Sequence, residues 1–265
     1  MGNSGAYGGS GGREWGKARE RAREYGSDSS GEAAQQLLSN IAEALDWDRD
    51  GDGTPPEVLT PVVARPRLRV PSGRGDGPGS SGGGAATRQG GGRGGGGRGR
   101  SRSHAAAVGG SVAAAGLALR ERDRATLERF GLSLAELERL EPYEQARRIL
   151  DAVSGTVGGT QEDELQHASG VAILALLVDG ATPDDAVRAF ITDFVFEVSI
   201  TEIGDELRDG NRDGHTTVDQ EDQLRDLIET SVNQVDLPTR LTMDNIQAAI
   251  YRALGDARTF LRASE

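Results

Sequence analysis

Apolar residues recur along this chain with the period of a helix in two blocks, and between them lies a stretch with no period at all. In "SGEAAQQLLSNIAEALDW", Leu37, Leu38, Ile41 and Leu45 fall on one helical face, and Ser30 stands where an N-cap belongs. Just before it, "GREWGKARERAREYG" reads as a short charged helix. A single-stripe helix of this length is marginal in water, so the stripe predicts docking on a neighbour or on a partner.

The second block begins with "HAAAVGGSVAAAGLALRERDRATLERFG", which reads as a tightly packed helix pair built on small residues. Helices are then predicted at about 133–140, 142–154, 161–179 with the apolar "GVAILALLV", 183–207, 218–235 and 241–263, separated by Gly, Pro and Asx signals. Thr182-Pro183-Asp184-Asp185 is a strong helix start, with Thr182 as cap and Pro183 in the first turn. The expected class is mainly α. The expected division is a Gly-rich tail over 1–12, short helices with an Asp-rich loop over 13–63, a disordered Gly/Arg linker over 64–103, and an all-α domain over 104–265.

Charge follows the same division. Residues 1–63 carry −5, residues 64–103 carry +8 and residues 104–265 carry −15, for a formal net charge of −12. The 64–103 stretch is Gly/Ser/Arg low complexity with too little apolar surface to offset chain entropy, and a forty-residue linker of this kind has a root-mean-square span of roughly 35 Å. No cysteine is present, which removes disulfides, thiolate zinc sites and thiol nucleophiles from consideration. The apolar run from Val171 to Val178 is too short to cross a bilayer, so a cytoplasmic protein without a membrane partner is expected.

Two Asp-rich stretches match the calcium-loop pattern in part. "DWDRDGDGTPPE" offers Asp46, Asp48, Asp50 and the twelfth-position Glu57, but Gly53 replaces the apolar eighth residue and Pro55, Pro56 and Pro61 oppose an exiting helix. "DGNRDGHTTVDQED" offers Asp209, Asn211 and Asp213 between two predicted helices, with Gln220 at the twelfth position and Val218 arriving late. Ca²⁺ is thus a candidate ligand, against solvated Asx-rich turns with Thr217 capping the next helix. "GGREWGKA" fails as a phosphate loop because Ala18 stands where a hydroxyl must reach magnesium.

His104, His167 and His215 fall in different elements, without catalytic spacing, and read as ordinary surface or helix-terminus residues. No paired-carboxylate motif stands out, and nothing in the sequence argues for an enzyme or a required cofactor. Arg88, Arg93, Arg98, Arg100 and Arg102 would bind RNA or single-stranded DNA through counterion release, but no aromatic residues accompany them for stacking. The competing reading is a linker whose arginines meet acidic surfaces.

Taken in order, "MGNSGAYGGSGG", the Gly/Arg tract leading into "HAAAVGGSVAAAG", and "GLSLAEL…GGTQEDELQHASG" resemble the B components (QatB) of the four-gene Qat anti-phage defence operons. The resemblance is best at the N-terminus and over residues 104–200, and weakest over 46–100. It implies a non-enzymatic adaptor working beside an ATPase (A component), a QueC-like enzyme (C component) and a TatD-like nuclease (D component). It also implies that the α-amine of Gly2, exposed once Met1 is removed, accepts a deazaguanine-type group. The chemistry is sound, because an α-amine with a pKa of about 8 is substantially neutral in cells and a tail without bulky side chains can thread into a pocket. The eukaryotic myristoylation pattern is not met, since Ala6 stands where it wants Ser or Thr.

Overall fold

The computed structural model describes residues 14–28, 30–45, 102–157, 163–177, 181–210 and 214–263, which form ten helices and, among the described residues, no strand. The first two, α1 (Glu14–Ser27) and α2 (Gly31–Ala44), form as the sequence predicts. Ser30 caps α2, its Oγ accepting from the Ala33 N–H at 3.3 Å, and Leu37, Leu38, Ile41 and Leu45 are all buried. At about 1.5–3 kcal/mol per fully buried aliphatic side chain, that stripe is the main force holding α2 in place.

What covers it is the rest of the chain. The 13–63 segment, set apart by its charge, contributes its helices to the same core as residues 102–263: α1 packs along α8 (Pro183–Gly210), and α2 packs against α10 (Ile246–Ala263). On α1 the buried face is Trp15, Ala18, Ala22 and Tyr25, at helical spacing, with small residues letting the backbones approach. Polar bonds fix the docking. Tyr25 donates its hydroxyl to Gln223 Oε1 at 3.0 Å, Gln220 Nε2 donates to the Tyr25 and Gly26 carbonyls at 3.2 Å, and Arg258 Nε donates to the Ala42 carbonyl at 2.9 Å. The last three bonds satisfy carbonyls in the final turns of α1 and α2, where intrahelical partners run out.

At the centre lies α3 (Arg102–Arg120), flanked by α6 (Pro142–Val157), α7 (Asp163–Leu177), α8 and α10. Its small residues make this crowding possible. A Cβ on Gly109 would lie 2.5 Å from Phe190 Cζ, one on Gly110 would lie 2.6 Å from Gln247 Cβ and 2.7 Å from its Cα, and one on Gly116 would lie 2.9 Å from Leu176 Cδ1. Phe190 stacks on Phe194 behind Gly109, with ring centroids 6.0 Å apart.

Four helix boundaries differ notably from the expected ones. First, α3 starts at Arg102, inside the stretch read as linker, because the Arg102 guanidinium lies 4.0 Å over the Tyr251 ring and donates to the Tyr251 hydroxyl at 2.6 Å. Second, the region read as one helix over 133–140 holds the single turn α5 (Leu134–Leu137), preceded by α4 (Arg124–Arg129), which Asp123 caps and which ends in a left-handed Gly131 at φ 73°. Third, α9 (Gly214–Asn233) starts four residues early, so Thr217 lies inside its first turn instead of capping it. Fourth, the last helix, expected from 241, begins as α10 at Ile246, after a turn in which the Thr242 N–H donates to Asn245 Oδ1 at 2.8 Å. The expected start at Thr182 is present in full. Thr182 Oγ1 accepts from the Asp185 N–H, and Asp185 Oδ2 accepts from the Thr182 N–H at 2.7 Å, a reciprocal capping box. No described helix is long and apolar enough to cross a membrane.

Candidate functional site

The richest cluster of chemistry-bearing side chains lies where α7, α8 and α9 meet. Asp193 and Glu197 stand one turn apart on α8, so both carboxylates share a face, and His167 from the second turn of α7 reaches across to them. His167 Nδ1 is 2.6 Å from Asp193 Oδ2 and 3.3 Å from Glu197 Oε1. The second Asp193 oxygen accepts from Arg225 Nη2 on α9 at 2.6 Å, and the Arg225 guanidinium lies 5.2 Å from the centre of the Phe196 ring.

Burial is graded across the cluster. The Asp193 side chain is 0% exposed while His167 is 56% exposed, so a carboxylate that is costly to bury is held between a guanidinium and an imidazole that faces water. With a carboxylate as acceptor, Nδ1 carries the ring proton and, in the neutral imidazole, Nε2 is left as the acceptor nitrogen. Chemically, the arrangement can ferry a proton between solvent and a buried acid, or offer one nitrogen and two oxygens, all within 4.8 Å of one another, to a cation.

Beside it, a hollow of about 280 Å³ is lined by Arg225, Thr192 and Glu229 together with Arg188. Arg188 is occupied structurally: Nη1 donates to the Val232 carbonyl at 2.7 Å and Nη2 to the Val235 carbonyl at 3.0 Å, which ties down the C-terminal end of α9. Next to that tie, a wider hollow of about 560 Å³ runs between the start of α8 and residues 233–241.

Of the residues singled out from the sequence, Gly2, Asp46, Asp48, Asp50, Glu57, Arg88, Arg93, Arg98, Arg100, Asn211 and Asp213 lie outside the described residues. Asp209 is exposed in the last turn of α8, and helix resumes at Gly214, so positions 214–220 of the twelve-residue calcium loop are helical here. Val218, counted as that loop's apolar residue, is 56% exposed on α9. Arg102, the last of the arginines named, is engaged with Tyr251.

The sequence reading passed over His167 as an ordinary surface residue and did not single out Asp193, Glu197 or Arg225. One signal was there to find: "FITDFVFEV" places two acids a turn apart inside an otherwise apolar run, and acids on a buried stripe need partners. Compared with known proteins, the chain matches no family model, no curated protein and no solved structure.

Proposed function

We propose that the protein is a non-enzymatic adaptor of an anti-phage defence complex, docking its helical body on the operon's ATPase and presenting Gly2 to a QueC-like enzyme for deazaguanine-type conjugation. A TatD-like nuclease completes the set of partners in this reading. Its basis is the order of segments that resembles the Qat B components.

The structural observation that carries it is the anchoring of α1. Trp15, the second residue of α1, is already buried, so the segment bearing Gly2 leaves directly from a fixed helix. Between Gly2 and Glu14 the chain spans at most about 40 Å, so a partner held on the body has the tail within reach. Tethering of this kind raises the effective concentration of the acceptor amine at an enzyme in the same complex.

The test is the intact mass of the protein purified from cells carrying the whole operon, against the same protein expressed alone. Added mass on the Gly2 peptide, absent from the lone protein, is the expected result; an unmodified Gly2 in both overturns conjugation. Capture of the ATPase should use the full chain, because a fragment starting at residue 104 lacks the two helices that complete the core.

A further inference from the structure

We propose that His167, Asp193 and Glu197 form a binding site for one divalent transition-metal ion of the zinc class, which fastens α7 to α8. The donor set favours that class. One imidazole nitrogen with two carboxylate oxygens suits Zn²⁺, Co²⁺ or Ni²⁺, whereas Ca²⁺ and Mg²⁺ prefer oxygen-only cages with more ligands.

The distances agree with this. Zinc holds nitrogen and oxygen donors at about 2.0–2.2 Å, which puts neighbouring donors about 3.0–3.4 Å apart in octahedral or tetrahedral geometry. His167 Nδ1 and Glu197 Oε1, at 3.3 Å, already have that spacing. His167 Nδ1 and Asp193 Oδ2, at 2.6 Å, must open slightly, and the half-exposed imidazole is the group free to swing. As the ion enters, the ring proton moves from Nδ1 to the solvent-facing Nε2, so the imidazole stays neutral and a metal–nitrogen bond takes the place of the N–H contact to the carboxylates.

Arg225 fits as the supporting group. By holding Asp193 Oδ1 at 2.6 Å it leaves Oδ2 as the oxygen for the ion, the orienting role that outer hydrogen bonds play around metal ligands. The exposed side of His167 provides the way in. An ion there would turn a contact mediated by one proton into bonds made to both helices.

Isothermal titration of the full chain with zinc chloride tests the site, beside thermal melts with and without zinc. Expected are saturable binding of one ion per chain and a rise in Tm. His167→Gln and Glu197→Gln, both at partly exposed positions, should keep the wild-type circular dichroism and weaken zinc binding at least tenfold. In the unmutated chain, zinc should shift the NMR resonances of one of the three imidazoles, a readout that needs no variant. No saturable binding, no shifted imidazole, or unchanged affinity in either folded variant overturns the site. Zinc binding that persists in both variants assigns the ion to acidic residues elsewhere in the chain and equally overturns it.

Discussion

Gly110→Ala isolates the force that sets the spacing of the central helices. The added Cβ would lie 2.6 Å from Gln247 Cβ and 2.7 Å from Gln247 Cα, and the second of these is backbone. Ordinary carbon contacts need about 3.5–4.0 Å, so α3 and α10 must part by about 1 Å. Sliding α3 away is no escape, because Gly109, its neighbour, already rests on the Phe190 ring. Overpacking of this kind costs about 1–3 kcal/mol, and a clash against backbone belongs at the upper end. Against that, alanine gains about 1 kcal/mol over glycine from helix propensity alone.

The net expectation is a loss of about 2 kcal/mol, read as a lower urea midpoint at unchanged m-value and a Tm lower by about 6 °C. Gly16→Ala is the internal control. Its Cβ would meet nothing within 4 Å on α1, so the same substitution there should stabilise by about 0.5–1 kcal/mol. Opposite signs for one chemical change separate packing from propensity. A Gly110→Ala variant as stable as wild type or more so would refute the close approach of α3 and α10.

Two further tests probe polar contacts. Arg19 donates to Glu202 Oε2 at 2.8 Å, and that carboxylate is 1% exposed; Arg19→Ala should therefore cost about 2 kcal/mol, at the low end for a buried pair because Arg19 is partly exposed, while Arg19→Met with Glu202→Met should restore most of the loss in urea melts. The Thr182 backbone and hydroxyl bonds hold the Asp185 carboxyl below its ordinary value of 3.8, and the Thr126 hydroxyl and backbone do the same for Asp123. A folded value below the unfolded one means the stability is present above about pH 4 and is lost as pH falls through the depressed value, so Asp185→Asn should flatten the acid limb of stability against pH.

Local signals carried the helix starts. Ser30 and Thr182-Pro183 announce their caps because capping chemistry is completed within three residues, and the α2 stripe is visible because its residues are large aliphatics. The docking of α1 was not legible in the same way. Two of the four hydrophobic residues that α1 buries are alanines among arginines and glutamates, so the helix reads as charged all round until α8 is seen against it. The α9 boundary was missed because Gly214 looks like a turn residue. The cluster around Asp193 needed three helices to meet: His167 lies 26 residues from Asp193, and Arg225 a further 32, and no local pattern spans such gaps.

The sharing of one core by the first and last helices has a consequence for synthesis. The apolar face of α2 is made early, yet α10, which covers it, begins about 200 residues later. At about 5–20 residues per second, that face waits about 10–40 s on the ribosome for its cover. Such long-range closure slows folding, and nascent or truncated chains will present Leu37, Leu38 and Ile41 to chaperones until the last helix emerges.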